Sequence, residues 1–331
     1  MKEGMHMALS TTEHGKAYEY ACLVALRDYL TDKTKGKVTV LLSDALRTAQ
    51  HAFDKAKIEG ESEKLIMAAN AAARVIFRLE PQLEFGNGDL LLGIQKDAKG
   101  MSGDVRDVVC IRDTSGWEVG ISCKHNHHAV KHSRLSDTID FGKEWFGVPC
   151  SREYFAEIVP VFESLRIARR EAIERGSAVP LWNNMSDKAE RYYMPVLNAF
   201  LKELQRLSTS HKGIPAKLVE YMLGRYDFYK VITDDAHKTT RVEAINIAGS
   251  LNREANGHRS LVDVARLKLP SRFYYMGFVP GSNNTIEIVC DEGWALNMRI
   301  HSASSKIEPS LKFDVTLKSL PSSIHAQVEP W

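Results

Sequence analysis

The first eighty residues carry apolar positions at helical spacing. Residues 10–13 match a capping box, in which a serine and a glutamate three residues later satisfy the free N–H groups at a helix start. Apolar side chains then recur over residues 17–26 with the period of one helix face. The same pattern returns over residues 43–57 and 62–79, and Pro81 follows the second of these. The sequence therefore predicts three helices before residue 81.

A different pattern follows Pro81. Residues 86–89 have turn composition, and 90–94 form an apolar run of strand length. Residues 107–111 and 117–124 have the length and composition of strands, and the turn-forming residues 113–116 separate them. The sequence predicts a tight β-hairpin here.

The remainder of the chain alternates between the two patterns. Helices are predicted over 151–176, 187–207 and 215–223. Strands are predicted over 226–233, 241–247, 273–278, 285–290, 295–300 and 311–317. We find no internal repeat and no low-complexity tract. The fold class predicted is mixed α+β, with helices early and strands concentrated in the hairpin and the tail.

Composition excludes several classes of protein. The chain has 331 residues, of which 44% are hydrophobic and 26% charged, as in an ordinary soluble globular protein. No stretch approaches the roughly 20 apolar residues that a membrane helix needs, and residues 1–9 hold no secretory signal. We therefore expect a cytoplasmic protein. The net charge of +2 argues neither for nor against nucleic acid as a partner.

The five cysteines are scattered and form no CxxC pair. A structural zinc site is not expected, and an odd number of cysteines suits a reducing compartment better than a disulfide framework.

Candidate chemistry lies at the open end of the predicted hairpin. Because side chains alternate along a strand, Gly120, Ser122 and Lys124 share one face, and pairing brings Asp107 opposite a residue near Ser122 or Lys124. With Asp104 nearby, two acids and a lysine converge. Carboxylates bind Mg²⁺, and a lysine beside the metal stabilises charge on a phosphate, as phosphodiester hydrolysis requires. From the residues alone, a surface hairpin with solvated charges is an equal alternative.

This hairpin resembles the PD-(D/E)XK nuclease core, and more specifically the HaeIII type of restriction endonuclease. The resemblance runs in order from about residue 15 to the end of the chain. The segments that carry it are 15–21 (GKAYEYA), 103–107 (GDVRD), 120–127 (GISCKHNH), 131–136 (KHSRLS), 140–143 (DFGK), 226–231 (YDFYKV), 299–305 (RIHSASS) and 307–314 (IEPSLKFD).

The resemblance implies a type II restriction endonuclease that cuts both strands of duplex DNA at a short palindrome, with GGCC as the expected site. It also implies Mg²⁺, products with 5′-phosphates, a nuclease core with a central mixed sheet flanked by helices, and a cognate DNA methyltransferase that protects host DNA. A palindromic target favours a homodimer. The alternatives are a repair or structure-specific nuclease on the same core, and a sequence-specific DNA-binding protein without cleavage.

The sequence departs from the nuclease pattern at Ser122, where the second carboxylate of the core is expected. Some enzymes of the superfamily recruit this acid from the following helix, where the candidates are Asp137, Asp140 and Glu144. By the same resemblance, Glu19 of the first helix is a further candidate, and Cys123 is expected to offer its backbone carbonyl to the metal. Glu118 shares the face of Lys124 but lies farther along the strand.

Of the two acids at the hairpin, Asp107 begins the apolar run, as the metal aspartate of the family does. We favour Asp107 as the catalytic metal ligand and keep Asp104.

Four histidines crowd the segment after Lys124, at positions 125, 127, 128 and 132. They fit either a metal or general-base cluster or, as we favour, a strand-to-helix loop whose side chains contact DNA phosphate or water. The DNA-contact candidates here are His125, Asn126, His127, Lys131 and Arg134.

A second polar and basic cluster lies in the tail, and its arginine and lysine could read guanine in the major groove. Its members are Arg299, His301, Ser304, Ser305 and Lys306. We predict a nuclease catalytic core over residues 10–150, and a helical, then strand-rich, region for DNA recognition and dimerisation over residues 151–331.

Overall fold

The computed structural model describes residues 9–96, 104–125, 129–302, 304–319 and 321–331, without the side chains of 129–132. The chain forms two compact units, each built from separate stretches of sequence. Unit 1 comprises Met1–His128, Gly224–Leu267 and Ser323–Trp331, and unit 2 comprises Ala129–Leu223 and Lys268–Ser322. Helices and strands are mixed in both, which confirms the predicted fold class.

Elements are numbered in chain order. The helices of unit 1 are α1 (Thr11–Thr31), α2 (Asp44–Ile58), α3 (Ser62–Leu79) and α4 (Pro81–Phe85). Its strands are β1 (Val38–Val40), β2 (Leu90–Ile94), β3 (Val108–Arg112), β4 (Glu118–His125), β6 (Phe228–Asp234), β7 (Thr239–Ile245) and β12 (Ala326–Pro330). They form one mixed sheet in the order β1-β2-β3-β4-β6-β7-β12.

The helices of unit 2 are α5 (Arg152–Glu174), α6 (Met194–Ser210) and α7 (Ile214–Leu223), with π-helical turns at Gly142–Phe146 and Ala189–Tyr193. Its strands are β5 (Ala129–Leu135), β8 (Phe273–Phe278), β9 (Thr285–Cys290), β10 (Ala295–Ser302) and β11 (Leu311–Ser319). They form an antiparallel sheet in the order β5-β11-β10-β9-β8.

Helix α1 begins as its sequence predicts. The Ser10 hydroxyl accepts a hydrogen bond from the N–H of Glu13 at 3.2 Å, and the Glu13 carboxylate accepts one from the N–H of Ser10 at 2.9 Å. The buried side of α1 includes small residues such as Ala17 and Ala21, and α3 buries five alanines, at 68, 69, 71, 72 and 73. Small side chains let the two helices lie close to the sheet, and all of these alanines except Ala71 belong to the same apolar core.

The apolar core of unit 1 lies between these helices and one face of the sheet. Cys110 of β3, Ile121 and Cys123 of β4, and Val231 of β6 all contribute to it. Because side chains alternate along each strand, their neighbours Val109, Ser122 and Lys230 lie on the other face. That second face carries the candidate site.

The structure corrects the sequence prediction at four elements, one of which is the short helix α4, where no helix was predicted. Strands β1 and β12 were missed because each is short and half-exposed, without a continuous apolar run. Residues 129–135, predicted to lie in a strand-to-helix loop, form β5 instead. The hairpin, the three early helices and α5, α6 and α7 lie where the patterns predict them.

The two compact units are defined by which residues pack together. The division predicted at residue 150 is of another kind, because it separates a catalytic core from a region for DNA recognition. The sheet of unit 1 takes β6, β7 and β12 from the later part of the chain. Among the described residues, no helix is long and apolar enough to cross a membrane.

Candidate active site

The hairpin places Asp107 beside Ser122. Val108 pairs with Ile121 and Val109 with Gly120, and the N–H of Asp107 donates to the carbonyl of Ile121 at 2.8 Å. This register puts Asp107 opposite Ser122, within the stretch near Ser122 or Lys124 that the sequence predicts. Oδ2 of Asp107 accepts hydrogen bonds from the N–H of Cys123 at 2.7 Å and from the Ser122 hydroxyl at 3.3 Å.

Lys124 lies on the same face, two residues farther along β4. Its Nζ is 3.7 Å from Oδ2 of Asp107. The side chains of Asp107 and Lys124 are 21% and 26% exposed, so both reach solvent. The structure thus brings together Asp107 and Lys124, the acid and the lysine that the sequence singled out. A ligand can approach both the carboxylate and the ammonium group.

Asp104 has a different environment. Arg106 donates from Nε to Oδ1 of Asp104 at 2.8 Å and from Nη2 to Oδ2 at 2.9 Å, and Gln95 donates to Oδ2 at 3.0 Å. Burial disfavours the charged form of Asp104, but these hydrogen bonds and the charge of Arg106 outweigh it, so the pKa of Asp104 lies below its usual value. Both oxygens of this carboxylate are therefore occupied by neighbouring side chains.

Arg106 also explains the glycine at position 120. Its side chain crosses β4, and a Cβ at Gly120 would lie 2.0 Å from Cδ of Arg106. The guanidinium then donates to Glu118 at 2.8 Å and lies 4.0 Å from the ring centre of Tyr226. Glu118 is thus held by Arg106 at the end of the hairpin away from Lys124.

Glu19 approaches the site from α1. Its side chain is 9% exposed, and Oε2 lies 3.1 Å from Nζ of Lys16. A hydrogen bond with Cys22, burial, and the negative charges of Asp107 and Glu19 all raise the pKa of the Cys123 thiol. Asp107, just before β3, and Glu19, on α1, are therefore both close enough to Cys123 to raise the pKa of its thiol.

The oxygen atoms of Asp107, Glu19 and the Cys123 carbonyl are of the chemical type that Mg²⁺ binds. Mg²⁺ prefers oxygen ligands, keeps several waters, and commonly uses one or two carboxylates together with substrate phosphate. Asp107 and Glu19 offer carboxylates, and Cys123 offers a backbone carbonyl. Within the described ranges, no three side chains of histidine, cysteine, aspartate or glutamate cluster closely enough to hold a metal by themselves.

Lys230, Arg241 and Glu243 lie on the same face of the sheet as Asp107 and Lys124, and the sequence analysis did not identify them. Ser122 pairs with Lys230 of β6, and Lys230 pairs with Glu243 of β7. Lys230 and Glu243 are each 4% exposed, and Nε of Arg241 donates to Oε1 of Glu243 at 2.8 Å. The pKa of Lys230 is lowered to about 8, chiefly by burial; the charges of Lys124 and Arg241 also lower it, and that of Glu243 opposes them. A lysine inside an otherwise apolar strand was the signal available in the sequence.

His125 points to the opposite side of β4 from Lys124. Its Nε2 lies 3.1 Å from Oδ2 of Asp235, and its ring stacks on that of His14 with 5.2 Å between centres. Asn126 and His127, the next predicted DNA contacts, lie outside the described residues. Lys131 lies in β5, and its side chain is also outside them.

Asp137 and Asp140, the acids considered as replacements at Ser122, belong to unit 2. Oδ2 of Asp137 is 2.5 Å from Nη2 of Arg166. Oδ1 of Asp140 accepts from the N–H groups of Lys143 and Cys150, each at 2.9 Å. Burial opposes the charge of Asp140, but these hydrogen bonds prevail and place its pKa below the usual value. Asp140 thereby closes the segment between residues 140 and 150.

The predicted DNA contacts of the tail and of β5 also lie in unit 2. Nη1 of Arg134 is 2.9 Å from the Ser310 hydroxyl, and Nη2 of Arg299 is 2.7 Å from Oδ2 of Asp314. The 304–306 segment is held by backbone contacts: the hydroxyl of Ser304 donates to the carbonyl of Lys306, and the carbonyl of Ser305 accepts from Trp182.

Comparison with known proteins gives one consistent result. The HaeIII restriction endonuclease family matches residues 15–321. The type II restriction enzyme HaeIII of Haemophilus aegyptius is 37% identical over 326 residues, which cover 98% of this chain and 99% of that enzyme. No solved structure matches the chain. A family match over nearly the whole length, with a relative of this identity, leads to one conclusion: the chain belongs to the HaeIII restriction endonuclease family.

Proposed function

We propose that this protein is a type II restriction endonuclease that cuts both strands of duplex DNA at GGCC, with its active site on the β3–β4 hairpin of unit 1. Membership of the HaeIII family supports a site-specific deoxyribonuclease acting on DNA. The observation that carries the location is the pairing of Asp107 with Ser122 and the approach of Lys124 to within 3.7 Å of Asp107.

Asp107 is the metal ligand in this proposal, with Mg²⁺ as the ion. The N–H of Cys123 and the hydroxyl of Ser122 fix one oxygen of its carboxylate, which is 21% exposed. Glu19 supplies the second carboxylate in place of the acid that Ser122 cannot provide. When bound, the ion polarises the phosphate and lowers the pKa of an attacking water.

Lys124 neutralises charge that develops on the phosphate. Its ammonium is held near Asp107 and remains partly exposed. Lys230 and Arg241 add positive charge to the same sheet face, with Glu243 as their common counter-ion. The products carry 5′-phosphates.

Asp104 has a structural part in the proposal. Its two oxygens together accept four hydrogen bonds from Arg106 and Gln95. One oxygen of Asp137 is bound by Arg166, and one oxygen of Asp140 accepts from two backbone N–H groups. We therefore assign them to the fold.

A homodimer follows from the proposed palindrome, because two identical half-sites are read by two identical surfaces. The functional division in the proposal places cleavage in unit 1 and recognition in unit 2. A DNA methyltransferase of the same specificity is the expected partner in the host, since the enzyme would otherwise cut the host genome.

Plasmid cleavage tests the proposal. Supercoiled plasmid of known sequence is incubated with the protein and Mg²⁺, and the fragment ends are sequenced. Discrete fragments that end within GGCC support it. Nicking everywhere supports a repair or structure-specific nuclease, and intact plasmid with a mobility shift supports a DNA-binding protein. If Asp107→Asn and Lys124→Ala both cut at the wild-type rate, the proposed site is wrong.

A further inference from the structure

One face of the five-stranded sheet of unit 2 is polar and charged along three adjacent strands. Burial alternates strictly in β11, where Leu311, Phe313 and Val315 are buried and the residues between them are not. The same alternation holds for residues 296–301 of β10. The buried side faces apolar residues, as the contact of 5.3 Å between the rings of Phe313 and Phe200 illustrates. On the polar side, the side chains of Arg134 and Arg299 are 52% and 58% exposed.

A row of basic side chains crosses this polar side. Arg134 of β5 pairs with Lys312 of β11, and Lys312 pairs in turn with His301 of β10. Side chains directly opposite on one face lie about 5 Å apart, and like charges there are destabilising. An arrangement that sets a lysine between an arginine and a histidine is stabilised when an anion binds across it. Glu308 offsets part of the charge of Arg134 at 3.3 Å.

The next row contains an oriented arginine. Arg299 pairs directly with Asp314, and its Nη2 lies 2.7 Å from Oδ2 of that residue. The Arg299 side chain is 58% exposed, whereas Asp314 is 15% exposed. His301 Nε2 is 3.1 Å from the same oxygen, although without the geometry of a hydrogen bond. A half-buried carboxylate thus holds one edge of the guanidinium and leaves the rest exposed.

We propose that this polar sheet face is the duplex-DNA contact of unit 2, with Lys312 binding a backbone phosphate and Arg299 reading a guanine. Asp314 is the positioning residue for Arg299. Arginine reads the O6 and N7 atoms of guanine through two parallel hydrogen bonds, and a fixed guanidinium plane favours that contact. The proposal rests on the proposed function, because it supposes that the chain binds duplex DNA. It adds Lys312 and Asp314 to the recognition surface.

The width of the basic patch favours duplex DNA as the occupant. The patch formed by Arg134, Arg299, His301 and Lys312 spans three strands, each about 4.8 Å from the next, and is therefore about 10 Å wide. That width suits the major groove and its flanking phosphates.

Binding to short duplexes tests the proposal, measured by fluorescence anisotropy without divalent metal. Lys312→Met should weaken binding to target and unrelated duplexes by a similar factor, about tenfold, and reduce the slope of log affinity against log salt by about 1. Lys202→Met is the matched control, because Lys202 is 68% exposed on α6 of the same unit, in an ion pair with Glu157. Equal binding by the two variants would overturn the phosphate assignment.

Arg299→Ala and Asp314→Asn test the reading of bases. Both should lower the ratio of affinities for the target and for a duplex with one guanine replaced, by about tenfold or more, with little change in binding to unrelated DNA. A merely structural role of Asp314 would lower binding to every duplex equally, and that result would overturn its assignment. Arg299→Ala gives the same test through an exposed residue if Asp314→Asn does not fold.

The outcome separates this proposal from the function on which it rests. Wild-type protein that neither binds nor cuts DNA contradicts the proposed function itself. Wild-type protein that cuts at a defined site, together with variants that keep wild-type affinity and selectivity, contradicts only the assignment of this face.

Discussion

Asp107 and Ser122 lie opposite each other across β3 and β4, and the Ser122 hydroxyl is 3.3 Å from Oδ2 of Asp107. The N–H of Cys123 binds the same oxygen at the shorter distance of 2.7 Å. Ser122 is therefore a secondary support of the carboxylate. Position 122, where the nuclease pattern expects a second acid, carries a hydroxyl here. Cleavage should tolerate removal of that hydroxyl.

We predict that Ser122→Ala cleaves within about tenfold of the wild-type rate, because a neutral hydrogen bond contributes about 1 kcal/mol and the backbone donor remains. The measurement is single-turnover cleavage of a target duplex at saturating enzyme. A loss of more than 100-fold would instead mean that the hydroxyl takes part in the reaction.

Ser122→Asp should make folding stability more dependent on magnesium. The new carboxylate would face Asp107 directly, and like charges in this position destabilise the strand pair. A bound cation relieves the repulsion, so the rise in Tm on adding Mg²⁺ should be larger for Ser122→Asp than for wild type. Equal rises in the two proteins, measured in matched EDTA and Mg²⁺ buffers, would argue against an ion next to Asp107.

Replacement by asparagine should have opposite effects at Asp107 and Asp104: the first should impair cleavage and the second should impair stability. Asp107→Asn should reduce the cleavage rate by more than about 100-fold, because loss of a residue that only orients a metal ligand already costs up to about that factor. Its free energy of unfolding should stay nearly unchanged. Asp104→Asn should lower the free energy of unfolding by about 3 kcal/mol, because Arg106 loses its main counter-ion in a buried site. Folded Asp104→Asn should still cut.

Urea unfolding and cleavage at a temperature well below the transition separate these effects. Should Asp104→Asn keep wild-type stability yet lose cleavage, the roles of the two acids would have to be exchanged.

The hairpin was predictable because its information is local. Turn residues 113–116 set the register, and alternation then assigned Asp107 and Lys124 to one face. Lys230 and Glu243 were not predictable in this way. They reach the site through the parallel pairing of β4 with β6, two strands separated by about a hundred residues of intervening chain, and no local pattern reports such a pairing.

The same reason explains the missed β5. Its sequence, AVKHSRL, has few apolar residues, and only the pairing with β11 makes it a strand. Arg134 and Arg299 were selected separately as DNA contacts from basic composition. The sheet of unit 2 places both on one face, across β11, through a pairing of distant segments that composition does not contain.

Asp140→Ala should affect stability and not catalysis. The carboxylate accepts two backbone hydrogen bonds, from Lys143 and Cys150, and their loss leaves two partly buried N–H groups without that partner. We expect the free energy of unfolding to fall by about 1–3 kcal/mol, with cleavage by the folded protein unchanged. Loss of cleavage at unchanged stability would revive Asp140 as a metal ligand.

Glu80 should make unit 1 less stable as pH rises. It is fully buried, accepts hydrogen bonds from the Tyr229 hydroxyl at 2.7 Å and the N–H of Asn252 at 2.8 Å, and has Oε2 without a partner among the described residues. Burial raises its pKa from 4.5 to about 7, in spite of these two hydrogen bonds. The folded protein therefore favours the protonated form more strongly than the unfolded chain does.

The sign of the effect follows from this raised pKa. The stability that protonated Glu80 contributes is fully present below pH 4.5, is lost as pH rises to about 7, and does not change further above that. The loss is on the order of 3 kcal/mol. Glu80→Gln keeps the shape and the acceptor oxygen but cannot ionise. Relative to wild type, its free energy of unfolding should therefore rise by about 3 kcal/mol between pH 4.5 and 8, as measured by urea unfolding. Parallel curves for the two proteins over this range would show that Glu80 is ionised in both states, and that its burial does not disfavour the charge.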